Sequence, residues 1–275
     1  MRVTLLQMNP GADKQANIDQ ATRLLDEAAA DTPDLVSLPE MWTCLGGDFA
    51  AKRAMAEPLP EPGGTGGPAY EFLRHAARSR RMTVHGGSLC ESGGGTLFNT
   101  TVVFGRDGAE LGRYRKIHLF DITTPDGTGY RESASYGAGD QVVTVEAGGM
   151  RLGLAICYDL RFAELFLALR RAGADLLMLP SAFTVPTGRD HWEALIRARA
   201  IENQCWVAAA ATWGQHRDGG GGARHTFGHS MIVDPWGSVV AMAADGVGVV
   251  SARIDPARTA RVRRDMPVLE HRRLA

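Results

Sequence analysis

Short apolar runs alternate with amphipathic segments along this chain. Val3 to Met8 reads as a buried strand, and Ile18, Ala21, Leu25 and Ala28 follow near helical spacing. Asp34 to Leu38 reads as a second buried strand, closed by Pro39. Residues 61–68, rich in Gly and Pro, predict a loop ahead of a helix at about 68–81 and strands near 82–89 and 97–104. The order then begins again. Arg151 to Cys157 reads as a strand, while Phe162, Leu165, Phe166 and Leu169 form one helical stripe. Asp175 to Leu179 is another buried strand before Pro180. A helix with Trp192, Leu195, Ile196 and Ala200 on one face follows, and strands are predicted near 205–211, 228–234, 237–243 and 247–254. The Gly-rich stretch 214–223 predicts a mobile loop.

The segments Asp34-Leu35-Val36-Ser37-Leu38-Pro39 and Asp175-Leu176-Leu177-Met178-Leu179-Pro180 match in type and place. Each closes a strand–helix–strand unit, and such units run their strands parallel beneath covering helices. Two of them predict an α/β sandwich with internal pseudosymmetry. Nothing between them reads as a linker, so one domain is expected over residues 1–275.

The chain has 275 residues, of which 44% are hydrophobic and 22% charged. A core of that size needs neither disulfide nor metal for stability. The formal net charge of −1 points to neither nucleic acid nor a membrane surface. Arg261, Arg263, Arg264, Arg272 and Arg273 form the basic cluster of the last twenty residues. Without interleaved aromatics it reads as a solvated helix or a subunit contact. The four cysteines, at 44, 90, 157 and 205, form no C-x-x-C pair and suit neither zinc nor a disulfide framework. The first residues lack a signal peptide's apolar stretch and no run is long enough to span a bilayer, so a reducing cytoplasm is expected. His225 and His229 are four apart but read as loop into strand, so no metal is expected. Trp206, Trp213 and Trp236 read as packing or interface residues.

Three side chains carry chemical possibilities. Cys157 ends an apolar strand just before a helix, which places its sulfur at the sheet's carboxyl edge and near N–H groups that favour a thiolate. A buried cysteine there is also a small hydrophobe. Glu40 ends the matching strand in apolar surroundings, where desolvation raises a carboxyl pKa toward a useful base, or it is a strand-end surface carboxylate. Lys116 stands in Arg113-Tyr114-Arg115-Lys116-Ile117-His118 of a chain whose other lysines are Lys14 and Lys52. An ammonium is a point charge and oxyanion donor where a guanidinium is not, although chance also explains one lysine. Together they compose a mechanism: Glu40 takes the thiol proton, Cys157 forms a thioester, and Lys116 with the Tyr158 N–H holds the oxyanion.

At Leu38-Pro39-Glu40, at residues 114–121 and at Ile156-Cys157-Tyr158-Asp159-Leu160-Arg161-Phe162, the sequence resembles the nitrilase superfamily of carbon–nitrogen hydrolases. The resemblance runs from residue 2 to about 255. It implies a four-layer αββα sandwich, a homodimer paired through the helices beside the nucleophile, no cofactor, and a second glutamate, matched by Glu132, that positions Lys116 and the amide. Within the superfamily the chain resembles the Nit branch, and residues 180–193 look more like deaminated-glutathione amidases than ω-amidases. That implies a small linear amide bearing an α-keto acid carboxylate, split to acid and ammonia. Arg161, one turn after Cys157, with Phe183 and Thr187, is assigned by this resemblance to substrate binding. The stretches 122–130 and 214–227 depart from the pattern and put substrate choice in doubt. Acyl transfer, nitrile hydrolysis and a non-catalytic interaction role remain as other readings.

Overall fold

The computed structural model describes residues 1–124, 127–217 and 222–274. Two sheets carry the fold. The first runs in the order Gly248–Arg253, Arg2–Gln7, Leu35–Ser37, Thr83–His85, Thr96–Phe104, Leu89–Gly93, with Glu110–Arg115 also paired to Thr96–Phe104. The second runs Val239–Met242, Met231–Val233, Trp206–Ala209, Leu176–Met178, Met150–Leu154, Thr144–Ala147. The three strands Arg2–Gln7, Leu35–Ser37 and Thr83–His85 are parallel, as are Met150–Leu154, Leu176–Met178 and Trp206–Ala209. Parallel neighbours need crossovers. Helices Lys14–Ala29 and Pro68–Arg80 supply them in the first half, and Ala163–Arg171 and Val185–Asn203 in the second. The pseudosymmetry expected from the two matching segments is therefore present, each unit being extended by a third parallel strand.

Alternation along the strands makes the layers. Val3, Leu5 and Leu35 point into one cluster with Leu152, Leu154, Leu176 and Met178 of the facing sheet. Leu6 and Val36 point the other way, onto Leu24 and Leu25 of one helix and Leu73 and Ala77 of the next. Behind the second sheet, Leu165, Phe166 and Leu169 join Trp192 and Ile196. The result is helix, sheet, sheet, helix: the four-layer αββα sandwich. Each fully buried leucine contributes about 1.5–3 kcal/mol to this packing. The first helix starts at Asp13, whose carboxylate accepts from the N–H groups of Gln15 and Ala16.

Two stretches differ from the sequence expectation. The flanks of the Gly-rich stretch are paired, not looped: Trp213–Arg217 and Ala223–Phe227 form an antiparallel ribbon. Its alternating partners are polar, with His216 buried and bonded to Thr226 Oγ1 (2.7 Å) and Pro10 O (2.7 Å), so hydrophobic periodicity gave no sign of it. Residues 218–221 of that stretch, and 125 and 126 of the stretch 122–130, lie outside the described residues. The basic C-terminal cluster is also partly engaged. Arg263 on helix Pro256–Asp265 donates to Asp175 Oδ1 (2.7 Å) and Ala174 O (2.7 Å), tying that helix to the second sheet. Among the described residues no helix is long and apolar enough to cross a membrane, and no group of three or more His, Cys, Asp or Glu is placed to hold a metal ion.

Candidate active site

The carboxyl ends of strands from both sheets meet at one cavity of about 240 Å³. Glu40 follows Leu35–Ser37, Lys116 follows Glu110–Arg115, and Cys157 follows Met150–Leu154 by two extended residues. All three line the cavity and all three are buried. Lys116 Nζ donates to Glu40 Oε1 (2.9 Å) and to Glu132 Oε2 (2.9 Å) and Oε1 (3.2 Å). Glu132, on the short turn Glu132–Ala134, is held because its Oε2 accepts from Phe120 N (2.6 Å). The Cys157 thiol faces the Glu40 carboxylate, and the Ala182 backbone lies beside the sulfur.

The charge states differ from those read from sequence. Burial alone pushes the Glu40 carboxyl up, but Lys116 beside it and the hydrogen bond from Cys157 overcome that, and its pKa lies below the ordinary 4.5. Burial pushes the Cys157 thiol well above 9.0, the Glu40 charge adds to this, and Lys116 only partly opposes it. Burial works against the Lys116 charge, yet Glu132 and Glu40 together hold it protonated. The resting site is thus carboxylate, ammonium and thiol. The expectation of a thiolate favoured by helix N–H groups fails for a structural reason. The strand stops at Leu154, Cys157 opens the five-residue 3₁₀ turn Cys157–Arg161, and the α-helix starts only at Ala163. Cys157 itself has φ 48°, a left-handed conformation that non-glycine residues rarely adopt. That bend aims its sulfur across the sheet edge at Glu40. It also leaves the Tyr158 N–H without a hydrogen-bond partner among the described residues, beside the sulfur.

Two further residues hold this arrangement, and sequence reasoning missed both. Asn99 Nδ2 donates to Glu40 Oε1 (2.9 Å) and Glu132 Oε1 (3.3 Å), while its backbone carbonyl accepts from Lys116 N (2.9 Å). Asp159, fully buried, accepts from Ile156 N (2.8 Å), His118 N (3.0 Å) and Tyr114 Oη (2.7 Å), and contacts His118 Nδ1 (2.7 Å). It pins the Cys157 turn to the segment that carries Lys116. Asn99 has no sequence signature, but Asp159 sits in the same motif as Cys157, two residues on. Asp159→Ala leaves three donors unpaired, two of them buried, so it should lower unfolding stability by about 3–5 kcal/mol, read as a shift in the urea midpoint. An unchanged midpoint would show that the turn is held by packing alone.

The remaining residues expected at the site are divided. Phe183 and Thr187 line the cavity, Thr187 Oγ1 donating to Thr184 O (3.2 Å), and Tyr158 lines it too. Arg161 is not on the cavity wall. Its guanidinium lies 5.7 Å from the Tyr158 ring centre and 5.5 Å from that of Phe183, with Nη2 3.2 Å from His191 Nδ1. The segment joining it to Cys157 is the 3₁₀ turn Cys157–Arg161, not a turn of α-helix. The cavity's cations other than Lys116 are Lys52, Arg131 and Arg224.

The carbon-nitrogen hydrolase family model matches residues 2–264. The deaminated glutathione amidase of Synechocystis sp. is 40% identical over 272 residues, covering 97% of this chain and 96% of that protein. Omega-amidase NIT2 of Homo sapiens is 37% identical over 274 residues, covering 99% and 95%. Among solved structures, the C. elegans NitFhit protein superposes with a TM-score of 0.88 at 36% identity. That match takes in 99% of this chain and 65% of the longer one. On its sequence, its layered fold and its full-length relatives, this chain belongs to the carbon–nitrogen hydrolase family of the nitrilase superfamily.

Proposed function

We propose that the protein is an amidase that cleaves a small linear amide of an α-keto acid through a thioester at Cys157. The observation that carries this reading is the Lys116 ammonium bridging Glu40 and Glu132 while the Cys157 thiol faces Glu40, all at one cavity wall. A thiol with a raised pKa is a poor nucleophile until a base removes its proton, and Glu40 is that base. As sulfur attacks the carbonyl carbon, the proton passes to Glu40. Lys116 Nζ and the Tyr158 N–H then stabilise the oxyanion, each such donor contributing roughly 10²–10³ in rate. Glu40 returns the proton to the departing nitrogen as the C–N bond breaks. Water, deprotonated by Glu40, next opens the thioester, and the returning proton restores the thiol. Glu132 positions Lys116, and Phe183 and Thr187 shape the acyl pocket.

Deaminated glutathione is favoured over α-ketoglutaramate, on the character of residues 180–193. The leaving group tells them apart: a primary amide releases ammonia, whereas deaminated glutathione, a secondary amide, releases cysteinylglycine. A panel of both amides, simple aliphatic amides and hydroxylamine as acceptor, read by the acid or hydroxamate formed, tests the reading. Turnover of deaminated glutathione well above the others supports it. Turnover of none, with no acyl adduct on Cys157, favours an interaction protein.

A homodimer in the cytoplasm completes the proposal. Ile201, Trp236, Val240 and Met242, on or beside the helix Val185–Asn203 and the edge of the second sheet, are exposed apolar side chains that suit a subunit contact. The four cysteines are free and buried, as a reducing compartment allows.

A further inference from the structure

One wall of the cavity carries two cations that form no ion pair among the described residues. Arg224 lies on the strand Ala223–Phe227. Its Nη2 donates to Ala182 O (2.7 Å), its guanidinium lies 5.5 Å from the centre of the Tyr130 ring, and its Nε is buried without a hydrogen-bond partner. Lys52, on helix Phe49–Met55, is half-buried on the same cavity. Burial and the Arg224 charge both depress its pKa, so the two cations feel one another. Among the described residues neither makes an ion pair. The carboxylates at the cavity are already engaged. Glu40 and Glu132 face Lys116, and exposed Asp48 caps its helix by accepting from Ala51 N (2.8 Å). Two partly desolvated cations on one cavity, one with an unsatisfied buried N–H, are unfavourable until an anion completes them. A guanidinium also grips a carboxylate by paired N–H donors.

We propose that Lys52 and Arg224 bind a carboxylate of the substrate away from the scissile amide, and so make this enzyme select anionic amides. The inference rests on the amidase reading above and names the specificity-determining residues of that site. The carboxylate has two possible sources: the α-keto acid on the acyl side, or the carboxyl terminus of a peptide leaving group. Charge is the shared requirement.

The test compares wild type with Arg224→Gln, Arg224→Lys and Lys52→Met on four substrates. α-Ketoglutaramate carries an acyl-side carboxylate alone. N-pentanoyl-cysteinylglycine carries one on the leaving group alone, deaminated glutathione carries both, and pentanamide carries none. Loss of one charge-assisted contact should lower kcat/KM for the anionic substrates by about 10- to 100-fold relative to pentanamide, mostly through KM. Arg224→Lys should recover part of that loss. A selective penalty on α-ketoglutaramate places the contact on the acyl side, and one on N-pentanoyl-cysteinylglycine places it on the leaving group. Equal losses across all four substrates would overturn the proposal and make these residues structural. Lys52→Met keeps the test decisive if Arg224→Gln does not fold. Calorimetric titration of glutarate is independent of turnover. Binding to wild type that weakens tenfold or more in the variants supports the anion site even if no amide is cleaved, while equal or absent binding to wild type and variants sinks it.

Discussion

Cys157→Ala is expected to lower amide hydrolysis by at least about 10⁴-fold while leaving the protein folded. The nucleophile is lost outright, and no other thiol reaches Glu40. The fold survives because only one sulfur is removed, and alanine tolerates a φ of 48° no worse than cysteine does. The measurement is kcat/KM on the best substrate of the panel, with the melting temperature as the control. Mass spectrometry of quenched wild type should show Cys157 carrying the acyl group, and the variant should show none. Comparable turnover by the variant would remove the sulfur from the reaction.

Substituting Lys116 is expected to have the next largest effect. Its ammonium lies 2.9 Å from both carboxylates in a buried site. Lys116→Ala would leave two carboxylates facing one another across Asn99, at a cost of about 3–5 kcal/mol in stability. Lys116→Arg keeps the charge but replaces a point donor with a planar fork that does not fit the same space. Both should lose about 10³-fold in kcat/KM. Near-normal rates for Lys116→Arg would make the lysine a structural counterion only.

The pH profile follows from the same pair. Glu40 must be charged to accept the thiol proton, and Lys116 holds its pKa below 4.5. The wild-type acid limb should therefore fall only below pH 4.5. Because the folded pKa is the lower one, the stabilisation this pairing gives is present above 4.5 and is lost as pH falls through the folded value. In Lys116→Ala the acid limb should move upward. A limb that stays in place would mean that Lys116 does not govern Glu40.

Much of this protein was legible from local pattern. The parallel strands are largely apolar, Leu176–Met178 throughout, because a strand covered on both faces buries nearly every side chain. The helices show their stripes because each buries one side only. Glu40 and Cys157 stood out because each ends an apolar strand, Lys116 because lysines are scarce in this chain, and Glu132 only through the family resemblance. Asp159 shares the Cys157 motif, yet its role becomes visible only when Tyr114 and His118, more than forty residues away, fold against it.

What only the tertiary structure decided concerns charge, direction and long-range meeting. Burial, the Glu40 carboxylate and the Lys116 ammonium together set the protonation of Cys157, and none of them is its neighbour in sequence. The turn after Cys157 is 3₁₀ rather than α, so Arg161 lies beside the Tyr158 and Phe183 rings, while Arg224 reaches the cavity from a ribbon whose buried partners are polar. Local sequence determines which segments form strands and helices, since those depend on near neighbours and on which faces must be dry. The field at a buried group depends on everything that packs around it, and that is assembled only when the two sheets close.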